Sequence, residues 1–346
     1  MKQSPKLARK KTRLQIQASD AGWLAVAARL AARARARSRP NPAVGAVLVK
    51  NGIIVGTGWT NPGGRPHAEA VALAQAGVHA KGATLYTTLE PCSHRSKRGP
   101  SCTDLIIDAQ PEAVVFAVKD PDIRTFGDGA KRIANAGIKV RQLECSSSTA
   151  SLAGYLTHKR EGRPFVTLKL AISLDGSIAL ANGESRWITG EASRAHVHSQ
   201  RAQSDGILVG GATWRTDRPR LDVRLAGLET RSPERFVLTR GAPPDGAKAI
   251  AAPGAIKSMD DIHYLYVEGG AHTAAAFVAA DLVDMIHLYR APILIGGGQP
   301  CIADIGLSDL GGAQNRWMLA DQRKFGNDQF EAYERRPREK DTCSPE

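Results

Sequence analysis

The sequence predicts two α/β domains in tandem, and three observations carry that expectation. The chain has 346 residues, about twice the length of a typical domain. Apolar strand-like runs alternate with amphipathic helix-like stretches along most of it, the pattern of sheets layered by helices. A Ser-rich stretch, Ser146-Ser147-Ser148-Thr149, breaks the alternation near the middle and is the expected boundary. The domains then cover residues 19–145 and 150–334, between a basic, disordered tail of residues 1–18 and a polar tail of residues 335–346.

Taken in order, Asp20 can cap a helix running to about Ala36, with Trp23, Ala27, Leu30 and Ala34 as its apolar stripe. Ala43–Lys50 and Ile53–Thr57 read as strands joined by the hairpin turn Asn51-Gly52. A Gly/Pro loop, Asn61–Pro66, leads into a helix from about His67 to Ala76. Ala83–Thr88 is a strand, and a helix from near Cys102 to Ala109 follows. Val114–Val118, Gly129–Ala136 and Ile138–Gln142 give strand, helix and strand. A connecting helix near Ser151–Lys159 opens the second half. There Phe165–Ile172, Gly206–Val209, Arg235–Thr239, His263–Val267 and Met285–Tyr289 read as strands. Glu191–Gln203 reads as a helix, and Glu268-Gly269-Gly270 leads into an Ala-rich one.

Composition narrows the class. Apolar residues make up 42% and charged residues 23%, ordinary for a globular protein and wrong for a disordered one. No run approaches the roughly 20 apolar residues of a membrane helix, and no apolar segment marks a secretory signal. The net charge of +13 is concentrated at one end. Residues 1–39 hold eleven Lys/Arg and one acid, so the remainder carries only +3. The basic character is therefore read as a solvated tail and helix face, and no nucleic-acid partner is expected. Five cysteines at irregular spacing do not make a disulfide framework, which fits a cytoplasmic protein.

Two cysteines stand apart. His67-Ala68-Glu69 sits at a helix start, Pro91-Cys92 follows a strand, and Cys102 opens another helix. One imidazole and two thiolates form a catalytic zinc set with a fourth position open for water. Helix N-termini favour the thiolate, and the metal lowers the pKa of the water. Glu69, two residues beyond the ligand His67, is placed to take the water's proton and pass it to a leaving amine. The signature H-x-E…P-C-x-x-C belongs to zinc base deaminases; here nine residues separate the thiols. Fe²⁺ remains an alternative to Zn²⁺ in such a set.

These residues resemble a family. His67-Ala-Glu69, Thr88-Leu-Glu-Pro-Cys92-Ser-His94, Cys102 and Asn41-Pro42-Ala-Val44-Gly45 resemble the deaminase half of the bifunctional riboflavin-biosynthesis deaminase/reductases. Leu168–Gly176, Gly183–Thr189, Arg201–Asp205, Gly210–Thr213, Asp217–Arg224 and Glu268-Gly269-Gly270 resemble its reductase half, in the family's order. The resemblance covers about residues 20–333. The Cys92–Cys102 loop reads Ser-His-Arg-Ser-Lys-Arg-Gly-Pro-Ser where the family more often has a shorter Gly-x-Thr-Pro-Pro version, and Arg218 stands where it often has Asp or Asn.

The resemblance implies a cytidine-deaminase-like three-layer domain followed by a dihydrofolate-reductase-like α/β domain. It implies a pyrimidine ribotide substrate, deaminated at the zinc site and then reduced by NADPH, and a homo-oligomer. His67, Cys92 and Cys102 would hold zinc, Glu69 would be catalytic, and Asn41 and His94 would touch substrate. Ala171, Trp187, Thr213, Asp217, Thr239 and the run Gly270-Ala271-His272-Thr273 would line the NADPH site. Lys169, Ser185, Arg201, Leu221, Arg224 and Glu268 would surround the ribose-phosphate substrate, with Arg201 and Arg224 suited to a phosphate. Lys169 or Asp217 would assist proton delivery. The second half has no G-x-G-x-x-G after its first strand, so the dinucleotide fingerprint is absent. The glycines at 210–211 and 269–270 are instead expected to let cofactor approach the backbone.

Overall fold

A computed structural model describes residues 19–94, 99–123, 125–242 and 244–336; the two tails and residues 95–98 of the loop between the paired cysteines are among those outside them. The first half contains α1 (Asp20–Ala31), β1 (Gly45–Lys50), β2 (Ile53–Trp59), α2 (Ala68–Ala76), β3 (Thr84–Leu89), α3 (Cys102–Ala109), β4 (Ala113–Val118), α4 (Asp128–Asn135) and β5 (Lys139–Gln142). Its sheet runs β2-β1-β3-β4-β5. β1 is antiparallel to both neighbours, and β3, β4 and β5 are parallel.

Helices cover both faces. Leu24 and Ala27 of α1 pack on Val47, Val49, Tyr86 and Val115. On the other face Ala72, Leu73, Ile106 and Ile133 pack on Leu48, Leu85 and Val114. The close seating of α2 on β2 depends on Gly56 and Gly58. A Cβ at either would lie 2.2 or 2.1 Å from a carbonyl oxygen of α2. That packing fixes the N-terminal end of α2, where His67 is the cap residue and Glu69 lies in the first turn.

Then come α5 (Ser146–Ser151) and α6 (Ala153–Glu161), followed by β6 (Phe165–Ile172), β7 (Ser177–Ala179), α7 (Glu191–Arg201), β8 (Gly206–Gly210), α8 (Gly211–Asp217), β9 (Glu234–Leu238), β10 (Lys248–Ile250), β11 (Tyr264–Val267), α9 (Ala271–Ala279), β12 (Met285–Arg290), β13 (Gln299–Pro300), β14 (Trp317–Phe325) and β15 (Asp328–Arg335). The large sheet runs β10-β9-β8-β11-β6-β12-β15-β14, parallel from β10 to β12, with β15 and β14 antiparallel. β8, β11 and β6 lie side by side at its centre, so the loops after β8 and β11 open at one edge, where ligands bind in open α/β sheets.

Several elements differ from the sequence expectation. The first helix ends at Ala31, where bonds from Arg33 to Leu30 and from Ala34 to Ala31 tighten the chain into turns, and Ala36 adopts φ +60°. Its fully buried face is Leu24, Ala27, Ala28 and Ala31, with Trp23 and Leu30 at the margin. The Ser-rich stretch is not a linker but helix α5, with Ser148 buried and donating to the Leu24 carbonyl. Gly211–Asp217 forms a short helix, α8, which the sequence reading did not include. The hairpin β14–β15 was not read from the sequence, and its second strand reaches Arg335, into the segment expected to be a polar tail. Residues 1–18, expected to be a disordered tail, and residues 337–346 of the expected polar tail lie outside the described residues.

α6 joins the two halves. Gly154 lies against the Tyr264 ring, where a Cβ would meet the ring at 2.6 Å, and Tyr155 meets His263 edge-on at 5.9 Å. Arg35 stacks over Tyr264 at 3.8 Å, and Arg39 pairs with Asp205 at 3.7 Å. Among the described residues no helix is long and apolar enough to cross a membrane.

Candidate active sites

The first site forms where α2, the end of β3 and α3 converge. The ligand atoms of His67, Cys92 and Cys102 all lie within 4.8 Å of one another. Nδ1 of His67 is 3.5 Å from Cys92 Sγ and 3.3 Å from Cys102 Sγ. Its Nε2 lies 3.1 Å from the Asn41 amide, so Nδ1 is the nitrogen turned to the sulfurs. The Cys102 backbone N–H donates to Cys92 Sγ at 3.3 Å, as expected of a thiolate at a helix N-terminus. Hydrogen bonding from Cys102, with His67 beside it, pulls the Cys92 thiol down to about 4, while the same contact and burial push Cys102 up. A borderline nitrogen and two sulfurs, converged and partly desolvated, fit Zn²⁺ and leave a fourth side open.

Glu69 is buried, with Oε2 3.5 Å from Cys102 Sγ. Burial pushes its carboxyl up to about 7. It therefore stands beside the metal set, with a proton affinity suited to a general acid–base group. A pocket of about 330 Å³ opens over it, and Asn41, Arg65 and His94 are in its wall. His94 Nδ1 lies 3.3 Å from the Thr125 hydroxyl.

The second site gathers at the strand ends of the large sheet. Arg201 ends α7 and grips Glu268, which follows β11: Nε and Nη2 meet the two carboxylate oxygens at 2.7 and 2.9 Å. Burial disfavours the Glu268 carboxylate, yet Arg201 outweighs it and holds the group below its usual range. Lys169 of β6 faces the same pair; burial lowers its pKa, against the pull of Glu268. Gly270 caps α9, and a Cβ there would meet only Thr213 Oγ1 at 3.8 Å, so an open cradle lies between α8 and α9. That cradle, at the N-terminus of a nine-residue helix, fits a cofactor phosphate.

Family models match the same two halves: the cytidine and deoxycytidylate deaminase zinc-binding region over residues 18–118, and the RibD C-terminal domain over residues 164–330. The riboflavin biosynthesis protein RibD of Mycobacterium tuberculosis is 39% identical over 306 residues, 84% of this chain and 89% of that protein. The chain belongs to the RibD family. The Escherichia coli RibD is 37% identical, over 80% of this chain and 89% of its own length. The solved Acinetobacter baumannii RibD superposes with a TM-score of 0.81 at 33% identity, covering 92% of this chain and 99% of that one. The solved Thermotoga maritima diaminohydroxyphosphoribosylaminopyrimidine deaminase/5-amino-6-(5-phosphoribosylamino)uracil reductase superposes with a TM-score of 0.80 at 28% identity, covering 91% of this chain and 98% of that one. Both domain types of RibD, the cytidine-deaminase-like and the reductase, are thus present in one chain.

Other expected RibD residues fall as follows. Ala171, on β6, packs at the edge of the Tyr266, Tyr289 and Phe330 cluster. Trp187 is exposed, with the Arg194 guanidinium 4.8 Å over its ring. Thr213 and Asp217 lie on α8, and Thr239 follows β9. Ala271, His272 and Thr273 form the first turn of α9. Ser185 is exposed, and Arg224 is exposed beside Asp222, 3.6 Å away.

Three expectations change. Arg201 is not an open phosphate fork, because Glu268 and the Asp222 carbonyl take its donors. Leu221 is buried with Ile207, Val209 and Val237, so its side chain faces core and only its backbone is left for a ligand. Gly210 and Gly269 make room for a helix rather than a cofactor, since a Cβ at either would strike Thr273 at 2.3 or 2.5 Å.

Sequence reasoning missed one wall of the deaminase pocket: Asp120 and Asp122 after β4, Thr125, and Tyr155 and Lys159 on α6. Tyr155 donates to Asp120 at 2.7 Å, and Lys159 to Asp122 at 3.1 Å. The only available signal was the acid pair in Lys119-Asp120-Pro121-Asp122; nothing local links it to residues 155 and 159.

Proposed function

We propose that this chain carries out two consecutive steps of riboflavin biosynthesis. It deaminates 2,5-diamino-6-ribosylamino-4(3H)-pyrimidinone 5′-phosphate, then reduces the ribosyl group with NADPH to give 5-amino-6-ribitylamino-uracil 5′-phosphate. The observation that carries this reading is the convergence of His67, Cys92 and Cys102 beside buried Glu69, in a chain that also holds the RibD reductase domain.

In the first step His67 Nδ1 and the two thiolates would hold zinc, and Asn41 meets the imidazole from the other side. Zinc supplies Lewis-acid activation of water. Glu69 takes the water's proton and returns it to the departing nitrogen. Oxygen replaces the 2-amino group, the C–N bond breaks, and ammonia leaves. Burial of Glu69 keeps bulk water from competing for that proton.

In the second step the cradle at Gly270, Thr213 and the first turn of α9 would receive the nicotinamide nucleotide. NADPH bound there would supply a hydride to the C1 carbon of the opened ribosyl group. The chain's part is to orient that carbon. Glu268, fixed by Arg201, and Lys169 surround it, and Arg224 stands free enough to meet the phosphate. The proton comes from Lys169 or Asp217. The four described cysteines are all free, which supports a cytoplasmic enzyme. Half-exposed Met318 and Leu319 on edge strand β14 support a homo-oligomer.

The test is NADPH oxidation by the zinc-loaded protein given only the diaminopyrimidinone ribotide. Oxidation that vanishes in Glu69→Ala, and returns with pre-deaminated substrate, is expected. Silence with both substrates overturns the reading.

A further inference from the structure

The deaminase pocket is not completed by the deaminase sheet and its helices alone. Part of its wall comes from α6, the helix that also packs on the reductase half through Gly154 and Tyr155. Two α6 side chains line it, and each meets one carboxylate of the 120–122 turn. Tyr155 Oη donates to Asp120, and Lys159 Nζ donates to Asp122.

Charge makes this wall consequential. The acids lining the pocket are Glu69, Glu90, Asp120 and Asp122. Glu90 is turned inward and locked by backbone N–H groups of Asp120, Gly127 and Ala130. Glu69 stands beside the metal set. Away from the metal, the wall therefore presents two carboxylates to whatever enters. Lys159 and Arg65 are the lysine and the arginine among the described lining residues. Arg65 belongs to the metal end, two residues from His67, and donates to the Pro100 carbonyl. Lys159 comes from α6, which carries none of the metal ligands. Its only acceptor among the described residues is Asp122, which leaves two of its three N–H groups for a ligand. About a third of its side chain, 34%, is open.

We infer that Lys159 is a specificity-determining residue of the deaminase step, the cation that admits the phosphate-bearing ribosyl arm past Asp120 and Asp122. The inference rests on the function proposed above. With the reacting carbon at the metal, the ribosyl arm would lie in the part of the pocket that α6 lines. A phosphate dianion there would be repelled by two carboxylates. Lys159 neutralises the nearer acid and offers N–H donors to the anion.

The experiment compares the full-length, zinc-loaded wild type with Lys159→Met and Lys159→Arg. Ammonia release is measured on the diaminopyrimidinone ribotide and on its dephosphorylated riboside, and ribose 5-phosphate is titrated as a competitive inhibitor. Lys159→Met keeps most of the aliphatic stem while removing the charge, and turnover of pre-deaminated substrate reports that the protein is folded. The expected result is a wild-type preference for the ribotide that falls at least tenfold in Lys159→Met, chiefly through KM. Inhibition by ribose 5-phosphate weakens by a similar factor, and Lys159→Arg restores most of both. An unchanged preference, or an equal loss on both substrates, overturns the inference while leaving the proposed function standing. Failure of the wild type to deaminate either substrate overturns the proposed function and this inference with it.

Discussion

Arg201 and Glu268 form a two-pronged ion pair, at 2.7 and 2.9 Å, across the end of the large sheet, and both side chains are nearly nine-tenths buried. The pair ties the last turn of α7 to the end of β11. Removing one member leaves the other buried and uncompensated, which typically costs about 3–5 kcal/mol. Arg201→Met should therefore lower the unfolding free energy by several kcal/mol in a denaturant titration. Arg224→Met, whose side chain is exposed, should leave stability close to wild type and raise the KM of the reductase step.

Gly210 and Gly269 test whether these glycines serve packing or cofactor. Both face Thr273, and a Cβ at Gly210 would lie 2.3 Å from its hydroxyl oxygen. Gly210→Ala should destabilise the protein by about 1–3 kcal/mol through overpacking. Adding Thr273→Ala should recover most of that loss in thermal melts. A double variant as unstable as the single one would point away from Thr273 as the cause.

The comparison of sequence with structure divides along a physical line. Residues close together in the chain were legible: His67 and Glu69 share a helix start, and Cys92 and Cys102 flank one loop. β6 spans Phe165–Ile172 as read, because alternating burial marks its sequence directly. What was hidden depends on distant partners. Ser146–Ser151 has turn-forming composition, yet it is helical because Ser148 is buried against α1. Trp317–Phe325 is an edge strand with most side chains exposed, so no apolar alternation announces it. Tyr155 and Lys159 enter the deaminase pocket only once α6 is docked. The glycines at 210 and 269 were legible as close approaches, but the atom approached, Thr273, was not.

Glu69 stands beside the ligand set and not within it, which separates metal binding from chemistry. Glu69→Gln should keep zinc, as metal analysis would show. Deamination should fall by about 10²–10⁴, the usual range for loss of a general acid–base group. Reduction of pre-deaminated substrate should continue. Cys102→Ser should instead lose zinc and deamination together.

Two buried histidines set the acid limit of stability. Burial holds His263 down at about 4 and His287 at about 3, so both are neutral in the folded protein at pH 5–6. In the unfolded chain they titrate near the ordinary value of about 6.5. Between these values the unfolded state binds the extra proton, so stability rises with pH. Their contribution is complete above about pH 6.5 and is lost as the pH falls toward 4. At ~1.4 kcal/mol per pH unit, His263 alone accounts for about 3 kcal/mol as an upper bound. His263 sits between Tyr155 and His158, at the seam between the halves, so acid should loosen that seam early. Melting temperatures measured from pH 7 to 4.5 should fall steeply in the wild type and less steeply in His263→Gln. Parallel slopes for the two proteins would mean that another group controls the acid limb.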